Sequence, residues 1–261
     1  MEFYKYHGTG NDFILIDNRA NIFVPSEEAI AHLCHRRFGI GADGLILLDP
    51  SEKFDFGMRY YNADGKEGTM CGNGGRCIAA FAQQLGLITD KCVFSSIDGE
   101  HHAIILKETK DNVQVSLQMK DVQRHKLIDG NIFMDTGSPH YIIFFDGISQ
   151  LDVFQKGKEL RFNNKFSPKG TNVNFVEILN DGIFVRTYER GVENETLSCG
   201  TGVTASALAY GIEKGLDQGN ININTRGGNL TVRFSRKRDY FTNIWLEGPA
   251  QMVYSGQIGE R

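Results

Sequence analysis

The sequence lacks several features, and each absence argues against a class of function or location. The sequence has no long basic stretch and a formal net charge of −4, which makes nucleic acid a poor partner. No apolar run approaches the roughly 18 residues that a membrane helix needs, and the best stretch, Tyr141–Phe145, ends at Asp146. The N-terminus also lacks the apolar core of a signal peptide. We therefore expect a cytoplasmic protein with no nucleic-acid and no membrane partner.

The cysteine pattern excludes further classes. No Cys-x-x-Cys pair occurs, which argues against a disulfide oxidoreductase. Cys71 and Cys77 are separated by five residues, which is not a zinc-knuckle spacing, so no metal site is expected. The cysteine count, five, is odd, and a cytosolic chain keeps its thiols reduced. Cys34, Cys77 and Cys92 lack a special local context and are predicted to be small buried residues.

A repeat is present in the glycine-rich parts of the chain. Met70-Cys-Gly-Asn-Gly resembles Ser198-Cys-Gly-Thr-Gly at an offset of 128 (199 − 71). Two further blocks keep an offset of 127 (185 − 58 and 136 − 9): Met58-Arg-Tyr-Tyr with Val185-Arg-Thr-Tyr, and Thr9-Gly-Asn with Thr136-Gly-Ser. One common offset predicts two homologous halves.

Each half carries the same order of local signals. Short apolar runs rich in strand formers precede the Cys-Gly-x-Gly loop, and an Ala-rich helical stretch follows it. The two helical stretches run from Arg76 to Gly86 and from Val203 to Gly215 and are apolar around most of their surface, so both should be buried. We expect an α+β fold of two pseudo-symmetric, duplicated domains, each a β-barrel-like sheet wrapped around a central helix.

The domain boundaries follow from the same repeat. The N-terminal domain is expected at 1–119, with a C-terminal strand at 248–261 returning to it. The C-terminal domain is expected at 120–247, and the polar stretch Lys120–Asp129 is predicted to be the linker.

Both repeated loops place a cysteine at the start of a helix. The first helical turn presents unpaired N–H groups and partial positive charge, so a thiol there ionises readily and a carboxylate can bind. Two such ends, facing each other across a cleft between the domains, would place one sulfur on each face of an α-carbon. One thiolate then removes the α-proton while the other thiol protonates the opposite face, which inverts a stereocentre. Cys71 and Cys199 are therefore the predicted catalytic pair.

Other interpretations of these loops are weaker. Gly200-Thr-Gly-Val-Thr-Ala fits the dinucleotide pattern G-x-G-x-x-A, but Cys77 stands at the third position of the sister loop and no suitable acidic residue follows. No Gly-Lys-Ser/Thr follows either loop, which argues against a phosphate loop. Two structural thiols are the simplest alternative, but it leaves the shared helix-start position unexplained. A non-catalytic, two-lobed amino-acid-binding protein also remains open.

Seven segments together resemble the diaminopimelate epimerase family: His7-Gly-Thr-Gly-Asn-Asp-Phe, Phe38-Gly-Ile-Gly-Ala-Asp-Gly, Asn62-Ala-Asp-Gly, Met70-Cys-Gly-Asn-Gly-Gly-Arg-Cys, Gly170-Thr-Asn-Val-Asn-Phe, Tyr188-Glu-Arg-Gly and Ser198-Cys-Gly-Thr-Gly. The resemblance implies an epimerase without a cofactor that interconverts LL- and meso-2,6-diaminopimelate, on the route to lysine and peptidoglycan. It also implies the duplicated fold described above and a homodimer.

The resemblance assigns roles to individual residues. It implies that Cys71 and Cys199 are the catalytic proton donor and acceptor for one direction. His140 and Glu189, which the sequence alone leaves unassigned, match positions that tune the pKa of the two thiols. The implied substrate-binding residues are Asn11, Asn62, Gly72, Asn73, Asn172, Glu189, Arg190, Gly200 and Thr201.

One position departs from the family pattern. Ser138 stands where many members carry Asn, so it keeps a hydrogen-bonding oxygen and loses the amide. We expect Ser138 to be a weaker substrate ligand. A proline or hydroxyproline racemase also uses two cysteines, but a His commonly follows its first Cys-Gly, where this chain has Asn73. Phenazine-biosynthesis isomerases share the fold without the cysteine pair.

Overall fold

The computed structural model describes residues 1–109 and 112–259. It contains two compact units, Met1–Leu117 with Gly248–Arg261, and Gln118–Glu247. The first division therefore lies two residues (119 − 117) before the boundary expected from the repeat. Residues 260 and 261 of the expected returning segment 248–261, and residues 110 and 111 of the first half, lie outside the described residues.

Unit 1 is the half that carries Cys71. Its helices are α1 (Glu27–Cys34) and α2 (Gly72–Gln84). Its strands are β1 (Glu2–Gly8), β2 (Asn11–Asp17), β3 (Gly44–Asp49), β4 (Phe56–Asn62), β5 (Glu67–Gly68), β6 (Lys91–Ser96), β7 (Gly99–Thr109) and β8 (Asn112–Gln118).

Unit 2 is the half that carries Cys199. Its helices are α3 (Val153–Arg161) and α4 (Gly200–Glu213). Its strands are β9 (His125–Ile128), β10 (Asn131–Asp135), β11 (Pro139–Phe144), β12 (Asn172–Leu179), β13 (Gly182–Glu189), β14 (Asn194–Thr196), β15 (Gln218–Thr225) and β16 (Gly228–Lys237). A long last strand, β17 (Tyr240–Gln257), contributes residues to both units.

The strand pairing repeats from one unit to the other. In unit 1, β1–β2 is antiparallel, β2–β3 parallel, β3–β4 antiparallel, β4–β6 parallel and β6–β7 antiparallel. In unit 2 the same order of directions joins β10–β11, β11–β12, β12–β13, β13–β15 and β15–β16. The matching ladders confirm the predicted duplication.

A buried helix lies against the strands of each unit. Helix α2 contacts β1, β2, β3 and β7, and α4 contacts β10, β11, β12, β13, β15 and β16. Glycines in the first turn allow this close packing. A Cβ on Gly75 would lie 2.8 Å from Leu117, and one on Gly202 would lie 2.5 Å from the Asn174 amide. The predicted α+β class, with a sheet wrapped around a central helix in each half, is confirmed.

The structure differs from the sequence-based expectation in several local features. Both central helices begin earlier than expected, at Gly72 and Gly200, because the Gly-x-Gly segments form the first turn rather than a loop. The predicted linker is partly ordered, since β9 lies within it and Val122 pairs with Phe241. The returning strand expected at 248–261 is not a separate strand, because β17 begins at Tyr240 and continues through Gly248 and Pro249 to Gln257.

Two surface helices were not predicted. Each begins at a residue whose side chain accepts a hydrogen bond from the first turn. Ser26 accepts from the Ala29 N–H at 3.1 Å before α1, and Asp152 accepts from the Gln155 N–H at 3.0 Å before α3. Among the described helices, none has the length and apolar character needed to cross a membrane.

Candidate active site

In unit 1, three of the predicted site residues form one hydrogen-bonded group. Cys71 is the N-cap of α2, with extended backbone, so its side chain lies at the amino end of the helix. Its Sγ donates to Oδ1 of Asn11, the first residue of β2, at 3.7 Å. The same oxygen accepts from Asn73 Nδ2 at 3.2 Å. Gly72 is the first residue of α2 and is buried.

The residue behind this group is Arg76, which the sequence reasoning did not assign to the site. Its side chain is fully buried. Its guanidinium donates to the Gly72 carbonyl and to Asn73 Oδ1, both at 3.0 Å, and more weakly to Thr9 Oγ1 and the Pro249 carbonyl, both at 3.4 Å. Burial lowers the pKa of Arg76, while the thiols of Cys77 and Cys71 act in the opposite direction. The guanidinium stays protonated because free arginine titrates so far above neutral pH.

In unit 2, the second cysteine has a different neighbour. Cys199 is the N-cap of α4 and is buried. Its Sγ lies 3.5 Å from the Thr201 hydroxyl, and that hydroxyl lies 2.9 Å from His140 Nε2. The backbone carbonyl of Thr201 also accepts from the Thr136 hydroxyl at 2.9 Å. Gly200 is the buried first residue of α4.

The protonation of His140 follows from its surroundings. Asn174 Nδ2 donates to the Thr187 hydroxyl at 2.8 Å, which turns Asn174 Oδ1 toward His140 Nδ1, also at 2.8 Å. Nδ1 therefore carries the hydrogen, and Nε2 is free to accept from Thr201. Burial lowers the pKa of His140 to about 4, so the imidazole is neutral at neutral pH.

A third group of predicted residues lies at the ends of β11, β12 and β13. Asn172 Nδ2 donates to the Ser138 hydroxyl at 2.8 Å, and Asn172 Oδ1 accepts from the Arg190 N–H at 2.8 Å. The Arg190 guanidinium donates to Ser138 Oγ at 3.5 Å. Arg190 also lines a cavity of about 510 Å³ in unit 2, whose wall includes Gly137, Pro139, Lys165, Lys169 and Phe166. Glu189, the last residue of β13, is half-buried.

Asn62 is the last residue of β4. Its amide oxygen accepts from the Tyr60 hydroxyl at 3.0 Å, and its amide nitrogen donates to the Lys66 carbonyl at 3.3 Å.

The other three cysteines are buried, as expected. Burial raises the pKa of Cys34, Cys77 and Cys92 to about 12 in each case, so these thiols are unreactive at neutral pH. Over residues 1–109 and 112–259, no cluster of three or more His, Cys, Asp or Glu side chains could hold a metal ion.

Solved structures of other proteins share this fold. A phenazine biosynthesis protein of the PhzF family from Bacillus anthracis matches with a TM-score of 0.79 at 15% identity, covering 100% of this chain and 99% of that chain. A probable proline racemase from Agrobacterium radiobacter matches with a TM-score of 0.73 at 16% identity, covering 99% and 92%. At such identities the likeness establishes the fold, which is the duplicated, two-unit α+β architecture.

Sequence comparison then identifies the family. The diaminopimelate epimerase family pattern matches residues 3–124 and again residues 132–253, once in each half. Diaminopimelate epimerase from Flavobacterium psychrophilum is 50% identical over 260 residues, covering 99% of this chain and 100% of that protein. The enzyme from Chlorobaculum tepidum is 42% identical, covering 96% and 98%. The chain belongs to the diaminopimelate epimerase family.

Proposed function

We propose that this protein interconverts LL- and meso-2,6-diaminopimelate. Membership of the family makes it an isomerase. One observation carries the proposal: each half presents a cysteine as the N-cap of a buried helix whose first residue is glycine. Two thiols of equal kind match a reaction in which one proton is removed from one face of the α-carbon and another proton is added to the opposite face.

The proposed mechanism is a balanced exchange of protons at one α-carbon. One cysteine, as thiolate, accepts the α-proton, and the electron pair of the broken C–H bond stays on the carbon. The other cysteine, as thiol, donates its proton to the opposite face and becomes the thiolate. No electrons leave the substrate, so no redox cofactor is needed, and the two cysteines are proposed to carry out the exchange without any other cofactor. Cys71 is the donor and Cys199 the acceptor for one direction.

The helix amino ends are proposed to bind the reacting amino-acid group. Gly72 with Asn73, and Gly200 with Thr201, begin α2 and α4, where the N–H groups of the first turn have no carbonyl partner within the helix and favour a carboxylate. Asn11 is proposed to act in the same half-site, because its amide contacts both Cys71 and Asn73.

His140 and Glu189 are proposed to tune the thiols. For His140 the support is its path to Cys199 through the Thr201 hydroxyl. A neutral imidazole that accepts from this hydroxyl leaves the hydroxyl oxygen able to accept from the Cys199 thiol. For Glu189 the support is its place beside Arg190 at the end of β13.

The remote end of diaminopimelate carries a second amino-acid group. We assign its carboxylate to Arg190, whose guanidinium can bind a carboxylate through two hydrogen bonds. Asn172 and Ser138 contact Arg190 and supply further polar atoms, and the cavity beside them supports this assignment. Asn62 and Glu189 are assigned to the same substrate from the family match.

The wider organisation is also part of the proposal. We take 1–119 with 248–261, and 120–247, as the two domains, and a homodimer as the assembly. A cytoplasmic location is proposed because the chemistry needs reduced thiols, and all five cysteines are free.

A coupled assay tests the substrate assignment. Turnover is measured with LL-diaminopimelate beside L-proline and L-glutamate, and we expect it only with diaminopimelate. Turnover of proline alone would favour the racemase alternative. Cys199→Ser and Cys71→Ser are compared with Cys34→Ser, which changes a buried, unreactive thiol. If neither site variant changes turnover, the two cysteines are not the catalytic groups and the proposal fails. If ligand binding without turnover is found, and both site variants keep that binding, the protein is an amino-acid binder and the proposal also fails.

A further inference from the structure

The fully buried guanidinium of Arg76 has no role in the proposed proton exchange. In the described part of the chain it pairs with no carboxylate, and its hydrogen bonds go to neutral oxygens of Gly72, Asn73, Thr9 and Pro249. A buried cation without a carboxylate is costly to fold around. Its contacts lead directly toward Cys71.

A chain of hydrogen bonds runs from Arg76 to the surface of unit 1. Arg76 Nη2 donates to Asn73 Oδ1 at 3.0 Å, and Asn73 Nδ2 donates to Asn11 Oδ1 at 3.2 Å. Asn11 Nδ2 then donates to Asp43 Oδ2 at 2.9 Å. Asp43 is held in turn by Arg36, at 2.6 Å.

The two ends of this chain determine its direction. A guanidinium has donors and no acceptor, and a carboxylate has acceptors and no donor. Asn73 must therefore turn its oxygen to Arg76, and Asn11 must turn its NH2 group to Asp43. Reversing either amide would place NH2 against guanidinium or oxygen against carboxylate.

The fixed direction decides which atom faces the cysteine. Asn11 presents its oxygen to Cys71 Sγ, at 3.7 Å. An amide oxygen accepts a hydrogen bond from a thiol but repels a thiolate, and it does not take up the proton at neutral pH. The contact therefore favours the protonated sulfur.

We propose that Arg76 and Asp43 are positioning residues that lock the Asn11 amide with its oxygen toward Cys71, so that Cys71 rests as the thiol. The inference rests on the proposed function, in which Cys71 is the proton donor for one direction. It extends that function by naming the residues that set the resting protonation. Both residues are proposed to act on the cysteine through the amides of Asn73 and Asn11.

Charged and titratable side chains from several elements surround this chain of hydrogen bonds. They are Lys5 and His7 on β1, Asp12 on β2, Arg36 and Asp43 before β3, and Arg76 and Cys77 on α2. Asp12 pairs with both Lys5 and Arg36 at 2.7 Å, so it is compensated.

Substitutions at the two ends of the hydrogen-bond chain, Arg76 and Asp43, test whether these residues fix the orientation of the Asn11 amide. Arg76→Gln replaces a group that only donates hydrogen bonds, and Asp43→Asn replaces a group that only accepts them. In both cases the new amide can donate and accept. Each change removes one of the two constraints on the Asn11 amide, and the double variant Arg76→Gln/Asp43→Asn removes both, so that Asn11 can turn its NH2 group toward Cys71 and favour the thiolate. Loss of the buried Arg76 cation by itself favours the thiol, because that cation and a Cys71 thiolate attract each other, so a shift toward the thiolate reports the turned amide.

The measurement is alkylation by iodoacetamide across a pH series, read separately for Cys71 and Cys199 by peptide mapping. In the double variant we expect Cys71 to be modified at least about threefold faster at neutral pH than in the wild type, with half-maximal rate at lower pH. The single variants keep one constraint and should shift Cys71 less. Cys199 should be unchanged and serves as the internal control. Arg59→Gln and Asp17→Asn remove the same charges from ion pairs elsewhere in unit 1 and should leave both cysteines unchanged.

No shift of Cys71 in the double variant, a shift toward the thiol, or an equal change at both cysteines would overturn the proposal. If the double variant does not fold, Asn11→Ala removes the amide oxygen itself and should also speed the modification of Cys71; an unchanged rate in that variant would overturn the proposal. The readout needs no substrate, so the lock and the proposed function fail separately. An absence of turnover on diaminopimelate with the expected Cys71 shift rejects the function alone.

Discussion

The two halves of the molecule have the same fold but differ in the residues that their cysteines contact. Each cysteine caps a buried helix, and each helix starts with glycine. Cys71 contacts the amide oxygen of Asn11, whereas Cys199 contacts the Thr201 hydroxyl, which is backed by the neutral imidazole of His140. A duplicated scaffold thus presents two thiols in unlike polar surroundings.

The same divergence occurs one turn further along each helix. Arg76 and Thr204 are equivalent positions, 128 residues apart (204 − 76), and both are fully buried. Arg76 donates to the Gly72 carbonyl at 3.0 Å, and Thr204 donates to the Gly200 carbonyl at 2.9 Å. One carbonyl is therefore bonded to a cation and the other to a neutral hydroxyl. The reaction needs one thiol and one thiolate at any moment, and the unlike surroundings fit that need.

The largest expected effect comes from removing either sulfur. Cys71→Ala and Cys199→Ala should each lower kcat by about 10²- to 10⁴-fold, because each removes a proton-transfer group. Cys34→Ala, at a buried thiol whose pKa is raised to about 12, is the matched control and should keep near-native kcat. Steady-state kinetics on diaminopimelate decide this. Near-native turnover in one site variant would show that only one half supplies a base.

The second-largest effect is expected on the stability of the protein in acid, and it arises from His140 in unit 2. Burial lowers the pKa of His140 from 6.5 to about 4. Between these values the unfolded chain binds a proton that the folded chain does not. The free energy of unfolding should therefore be largest above pH about 6.5 and fall as the pH drops toward about 4, by up to about 3 kcal/mol from this group. Urea unfolding of wild type and His140→Asn over this range measures the difference. Equal pH slopes for the two proteins would contradict the neutral, buried imidazole.

A smaller effect is expected at the hydroxyl between His140 and Cys199. Thr201→Val removes one oxygen and breaks both contacts, so kcat should fall about tenfold, the loss expected for one hydrogen-bonding group. Thr204→Val removes a hydroxyl from the same helix without touching Cys199 and should leave kcat within about twofold. Equal losses in the two variants would mean that the Thr201 contact is structural.

The smallest expected effect is at Ser138. Ser138→Ala removes the oxygen shared by Asn172 and Arg190, but Asn172 keeps its bond to the Pro139 carbonyl at 2.9 Å. KM for diaminopimelate should rise about threefold with kcat nearly unchanged, because the lost contact is remote from the reacting carbon. A fall in kcat at constant KM would place Ser138 near the chemistry instead.

Much of this arrangement could be predicted from the sequence because the repeat brings like residues to like positions. The common offset indicated the duplication, and the helix-start context singled out Cys71 and Cys199. The contacts of Arg76 could not be predicted, since nothing in its local pattern distinguishes a buried guanidinium from an exposed one. The link from His140 to Cys199 joins β11 to α4, and Asn174 completes it from β12. Those contacts depend on strand register, which the sequence alone does not determine.

Solvent labelling measures whether the two cysteines serve opposite faces of the reacting carbon. The reaction is started in heavy water from a single isomer and stopped at low conversion. Because each base serves one face, early product should carry deuterium at the inverted carbon while the remaining substrate keeps its hydrogen. Equal deuterium content in early product and remaining substrate would show that one base serves both faces, which is incompatible with a two-cysteine exchange.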